Sequence, residues 1–188
     1  RGQSTNLSPD PSTCSMDLPM FAVVLSFDSS SKTMSCGCLT AYHEDAQAPP
    51  TSNCIECEIG TFNNAITTSK KCTTCPPGRS TYSTTQAICV TCKKGQYCPG
   101  GKSVLCPVGT SNNKIGQSAP CLVCGGGEYQ PDPGQTTCLP CNVGTYLPDS
   151  IDANQHNSET QCLPCPKGKY GLNFGSSECI LCEAGKYS

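Results

Sequence analysis

Seven times this chain sets two cysteines three positions apart, in C-x-x-C pairs that open at Cys54, Cys72, Cys89, Cys121, Cys138, Cys162 and Cys179. Such a pair serves three chemistries: two of the four ligands of a tetrahedral zinc ion, the redox couple of a thiol–disulfide exchanger, or a structural disulfide framework. Zinc has some support, because Cys54 to Cys75 reads C-x2-C-x14-C-x2-C, close to ribbon spacing. Four ligands per ion leave seven pairs undivided, however, and only His43 and His156 are there to complete other sites. Exchange chemistry uses one motif at a helix start in a βαβ setting, which seven copies in a strand-and-turn chain do not provide. Nineteen cysteines in 188 residues therefore read as structural disulfides, with no metal and no cofactor expected.

The pairs recur at offsets of 18, 17, 32, 17, 24 and 17 residues, and Cys106 divides the long gap as the second cysteine of a pair whose first member is displaced to Cys98. Three residues after Cys57, Cys75, Cys92, Cys106, Cys124, Cys141, Cys165 and Cys182 stands a glycine in all eight cases, Gly60 through Gly185. Two residues further stands an aromatic in six of the eight: Phe62, Tyr97, Tyr129, Tyr146, Tyr170 and Tyr187, with Ser80 and Ser111 as the exceptions. The glycine fits a tight turn with positive φ or a close backbone approach. The aromatic supplies apolar cover for a disulfide while a tyrosine hydroxyl stays wet.

If the second cysteine of each repeat bonds to the first of the next, the pairs are Cys57–Cys72, Cys75–Cys89, Cys106–Cys121, Cys124–Cys138, Cys141–Cys162 and Cys165–Cys179, with separations of 15, 14, 15, 14, 21 and 14. Cys92 and Cys98 then close a short local loop. Cys14, Cys36, Cys38 and Cys54 form two more bonds of unassigned pairing, and Cys182 is left over with a partner expected beyond Ser188 or in another molecule. A rival scheme joins whole pairs, such as Cys54–Cys72 with Cys57–Cys75, and strands both Cys179 and Cys182. Near-constant loop length favours the chained scheme, but connectivity is not fixed by sequence.

The elements that must hold these cysteines are short. Leu, Ile, Val and Phe together make 29 of 188 residues and there is no Trp, so one large core cannot be built and cross-links must replace packing. Each closed loop of about 15 residues contributes about 3 kcal/mol in the chain-entropy model. The expected fold is small, disulfide-rich and mostly β: an N-terminal β-hairpin element, then an extended ladder of short hairpin repeats. Within a β-rich segment of residues 1–53, Met20–Asp28 and Thr33–Tyr42 read as the two strands of that hairpin, joined by a turn at Ser29 to Lys32. Ala46 to Asn53 reads as a linker into tandem repeats over 54–188, the last incomplete. In such an array each hairpin is expected to contact only its neighbours.

Net charge is −2 with both signs scattered, which gives no basic stripe for nucleic acid and no patch for an anionic membrane. The longest apolar run, Phe21 to Leu25, is too short to insert in a bilayer. The Arg1-Gly2-Gln3 start, without methionine or signal peptide, reads as a mature or excised segment, and Asn6-Leu7-Ser8 is a glycosylation sequon. Catalytic residues are not expected. His43 beside Glu44 and Asp45 reads as a solvated patch, and Asp149 and Asp152 fit no calcium-loop spacing. His156 lies in the one lengthened loop, 142–161, a surface insertion or a binding loop.

The repeat, as in Cys138-Leu139-Pro140-Cys141-Asn142-Val143-Gly144-Thr145-Tyr146, resembles cysteine-rich ephrin-receptor-like modules. It is also similar to the opening modules of tumour necrosis factor receptors and, more loosely, to growth-factor-receptor and EGF-like repeats. The likeness covers about residues 54–188 and implies a non-enzymatic, secreted or cell-surface ladder of disulfide-joined hairpins. In the receptor modules the cysteine before Gly-x-Tyr closes onto one about fifteen residues later, which agrees with the chained scheme. The function expected is a structural segment of a surface, matrix or mastigoneme-like filament assembly. Its partners would be other copies of itself or neighbouring extracellular proteins, with glycans on its surface. The alternatives are the ligand-binding ectodomain of a cysteine-rich receptor and, behind it, a zinc-binding repeat protein.

Overall fold

The computed structural model describes residues 22–30, 33–45 and 54–186. Asn6, Cys14, the 46–53 linker and Tyr187 lie outside the described residues. Those described form short strands and turns, paired into nine two-stranded sheets, with two single 3-10 turns at Ala153–Gln155 and Glu159–Gln161. They divide into two compact units: the first runs to Val90 and takes in Gly100–Lys102, and the second comprises Thr91–Pro99 and the residues from Ser103 on.

In the first unit Ala22–Asp28 pairs antiparallel with Thr33–Cys38, with one irregularity between Val24 and Ser26. The Asp28 carboxylate accepts hydrogen bonds from the Ser30 N–H at 2.9 Å and the Ser30 hydroxyl at 2.6 Å, the local bonding that places Asp at turns. The second strand ends at Cys38 rather than running on to Tyr42. Two interactions stop it: Cys38 exchanges N–H···O bonds of 2.8 and 3.0 Å with Thr67, and Ala41 turns the chain at φ +69°. Tyr42–Glu44 then opens a separate hairpin with Cys54–Glu56.

The remaining hairpins follow one plan, in which the two residues after a repeat glycine pair with the two residues before the second cysteine of the next repeat. In the first unit Thr61–Phe62 pairs with Thr73–Thr74. In the second, Tyr97 faces Val104, Ser111 faces Leu122, Tyr129 faces Leu139, Tyr146 faces Leu163 and Tyr170 faces Ile180. The repeat aromatic is thus one half of a cross-strand pair with the residue two before the next repeat's second cysteine, an arrangement that stabilises a hairpin by roughly 0.2–1 kcal/mol. Two-residue strands cannot bury much, and among the described residues eight of the eleven buried apolar ones are cysteines. Among the described residues Cys38, Ala41 and Tyr42 form a small buried apolar cluster, with Leu39, Cys54 and Ala87 against it. Cystine sulfur does the work of a core, and most of the aliphatic side chains stand in solvent.

Candidate functional site

The repeat junction is where sequence and structure concentrate their constraints. Each repeat closes on the next through a disulfide: Cys57–Cys72 and Cys75–Cys89 in the first unit, Cys106–Cys121, Cys124–Cys138, Cys141–Cys162 and Cys165–Cys179 in the second. Cys92–Cys98 closes a local loop of separation 6. Among the cysteines of unassigned pairing, Cys38 bonds Cys54 across 16 residues, and Cys36 is disulfide-bonded too. Cys182 is free and half-buried. With sixteen cysteines joined in these eight bonds, the C-x-x-C pairs are bridges between repeats and not sets of thiolate ligands.

Around each disulfide lies a set of backbone hydrogen bonds centred on the repeat glycine. Gly109 donates its N–H to the Gln130 carbonyl at 2.7 Å and accepts from the Cys124 N–H at 2.9 Å. Gly127 repeats this with Leu147 and Cys141, both at 2.8 Å, and Gly144 with Gly171 at 3.0 Å and Cys165 at 2.9 Å. In the first unit Gly60 accepts from Cys75 at 2.9 Å and donates to the Thr81 hydroxyl at 2.8 Å. Both polar groups of one residue are thus committed to the following repeat. A second pair of bonds completes the junction: Gly134 donates to Cys106 and Gly175 to Cys141, at 2.7 and 2.9 Å, while Leu147 donates to Ser176 at 3.1 Å. Apart from the Thr81 hydroxyl, the partners are main-chain groups, which any residue at those positions supplies.

Glycine is required at these positions for two reasons. The eight repeat glycines have φ between +74° and +91°, the left-handed region in which a Cβ costs roughly 1–2 kcal/mol. At some of them space excludes it as well: a Cβ on Gly109 would lie 2.0 Å from the Ala153 carbonyl oxygen, and one on Gly127 would lie 2.0 Å from that of Gly175, whereas nothing lies within 4 Å at Gly144, Gly168 and Gly185. Ala153 and Gly175 each belong to the next-but-one disulfide loop. Nearest-neighbour contact is therefore not the rule in the second unit, since each of these glycines touches two successive repeats and couples three of them.

The array also has a member that a glycine-based pattern misses. Ala41 stands three residues after Cys38, has φ +69°, donates to the Asn63 carbonyl at 2.8 Å and accepts from the Cys57 N–H at 2.9 Å. Cys38-Leu39-Thr40-Ala41 is thus a repeat start with alanine in the glycine position. A search on loop length, which here is 16, would have found it.

Loop 142–161 folds back onto the preceding repeat. His156 is fully buried, its Nδ1–H donates to the Glu128 carbonyl at 2.8 Å, and its own carbonyl accepts from the Gln130 N–H at 2.7 Å. Its Nε2 is buried with no hydrogen-bond partner in the structure. Asp152 caps the first 3-10 turn, accepting from the Asn154 N–H at 3.0 Å, and Ser158 with Gln161 forms a capping box on the second. Asp152 is thereby a capping residue. Ile151, beside it, is 97% exposed. His43 is half-buried, and its Nδ1–H donates to the Glu44 carbonyl at 2.8 Å. Tyr129, opposite Leu139, has its phenol pKa raised above the ordinary value of 10.0, first by burial and then by the nearby Glu159 carboxylate.

Among the described residues no group of three or more His, Cys, Asp or Glu side chains converges as a metal site, and no helix is long and apolar enough to cross a membrane. No protein-family model matches the chain, and no curated protein matches it.

Proposed function

We propose that the chain is a non-catalytic structural segment of an extracellular assembly, a disulfide-stapled spacer in a cell surface, matrix or filament. The observation that carries this reading is the repeat junction, in which each repeat docks the next through a disulfide and the main-chain groups of its glycine. A chain built this way lengthens by adding repeats, the property a spacer needs. The eight disulfides formed among the described residues persist in an oxidising compartment, which agrees with secretion or display outside the cell. Negative-stain imaging of the purified chain over a concentration series tests the reading: regular fibres or end-joined particles support an assembling structural protein, and dispersed single molecules at every concentration contradict it.

A second reading, the ligand-binding ectodomain of a receptor, is favoured by loop 142–161, which is pinned by His156 and two capped turns and presents Ile151 to solvent. Capture of a soluble partner that is lost on Ile151→Asp would support it over the first.

A further inference from the structure

Within the second unit, the turn at 112–117 and the segment 136–138 enclose an open cleft of about 500 Å³, inside the about 300–1,000 Å³ range of small-ligand sites. Its two walls are fixed by buried amides. Asn112 donates to the Gln96 and Lys114 carbonyls at 2.7 and 3.1 Å and accepts from the Lys114 N–H at 3.0 Å. Gln130 donates to the Thr137 carbonyl at 2.8 Å and accepts from the Asp132 N–H at 3.1 Å. A backbone bond from Asn112 to Gln135, 3.1 Å, ties the walls together. The cleft is therefore preformed.

Other polar groups of the lining are not used in this way. Among the described residues, the side chains of Asn113, Gln117, Thr136 and Thr137 have no hydrogen-bond partner in the fold, yet all four line the cleft. Amides and hydroxyls both donate and accept. The ammonium of Lys114 and the carboxylate of Glu128 also line it, one charge of each sign, so the cleft has no net preference for an ion. Leu122, 71% exposed, adds an apolar wall beside Cys121 and Cys138.

We propose that this cleft binds a neutral saccharide unit. Ring hydroxyls match uncommitted amides and hydroxyls that can take either role in a hydrogen bond, and the C–H face of a sugar matches Leu122. The balanced charges disfavour phosphate or uronate. This site is independent of the structural role proposed above, and its failure would leave that role standing.

The test is an NMR titration of the full, isotope-labelled oxidised chain with cellohexaose, chitohexaose and mannohexaose, and separately with a neutral Gly-Ser-Pro heptapeptide. At least one oligosaccharide is expected to shift the amide signals of residues 113–117 and 136–138, with Kd of about 1 mM or tighter. The double variant Asn113→Ala, Gln117→Ala is expected to weaken that binding about tenfold or more and to leave the signals of other repeats in place. The proposal is overturned if none of the three binds at about 10 mM, if the shifts map elsewhere, if the double variant binds equally well, or if only the peptide binds.

Discussion

Ala41 stands to Cys57 as Gly60 stands to Cys75: in both cases the carbonyl of the residue three after a cysteine accepts the N–H of the next repeat's second cysteine at 2.9 Å. Ala41 does so at φ +69° and is buried in a cluster with Cys38 and Tyr42. Relief of strain and loss of the methyl oppose each other in Ala41→Gly, so that variant should stay within about 1 kcal/mol of the parent. Ala41→Val adds a β-branched side chain to the left-handed conformation and to a filled site, and should cost about 2–4 kcal/mol. Hydrogen exchange at the Cys57 amide reads the difference, with fast exchange expected only in the valine variant.

Two glycines with the same φ of +81° should respond unequally to alanine. At Gly127 the new Cβ would meet the Gly175 carbonyl at 2.0 Å, backbone against backbone, whereas at Gly168 nothing lies within 4 Å. Gly168→Ala should cost about 1 kcal/mol, the conformational term alone. Gly127→Ala should cost about 3 kcal/mol or more and disturb residues 175–176 as well as its own hairpin. Urea unfolding ranks the two variants. Equal costs would mean that the coupling across three repeats is not energetically significant.

His156 holds loop 142–161 onto the preceding hairpin, with its Nδ1–H on the Glu128 carbonyl. Truncation to alanine leaves a cavity and an unpaired carbonyl, at a cost of about 2–4 kcal/mol. Limited proteolysis should then cut within 142–161 while the Cys141–Cys162 bond keeps the fragments together. An uncut loop in the variant would show that the disulfide and the two capped turns suffice to order it.

Alkaline titration offers a check on the environment of Tyr129. Its phenol pKa is raised by burial and by Glu159, so the neutral phenol is the form the fold favours. The stability this gives is fully present below the ordinary value near 10.0 and is lost as pH rises through the raised folded value. In the absorbance difference between the parent and Tyr129→Phe, the missing phenolate should therefore titrate above 10.0. A difference curve centred at or below that value would contradict the assignment.

What could be read from the sequence was whatever a single residue type enforces at a fixed distance. Glycine three after the cysteine is such a case, because all eight share a positive φ that disfavours a Cβ, and its regularity lays out the hairpin ladder directly. Ala41 escaped because the pattern was anchored on glycine and on C-x-x-C, whereas this repeat opens Cys36-Gly37-Cys38. The contact of Gly109 with Ala153 was invisible for a different reason: it joins main-chain atoms across two disulfide loops, and main-chain atoms leave no residue signature. His156 sits among polar residues in a lengthened loop, where a solvated ring is the ordinary expectation, and only the fold of that loop buries it. The capping box at Ser158 to Gln161 did carry a signal, S-x-x-Q, readable in advance. The strand ends at Cys38 rather than Tyr42 because Cys38 bonds to Thr67, a partner far along the chain that local sequence does not reveal.

Disulfides chained from one repeat to the next hold this molecule together. A peptide map of the natively purified chain, digested without reduction at low pH to prevent exchange, tests it most directly. The account predicts peptides linked Cys57 to Cys72, Cys75 to Cys89, Cys106 to Cys121, Cys124 to Cys138, Cys141 to Cys162 and Cys165 to Cys179. It also predicts that reductant, and not EDTA, abolishes the protease resistance of residues 54–186. Linkage of Cys54 to Cys72 with Cys57 to Cys75, or free thiols released together with zinc by EDTA, would contradict it.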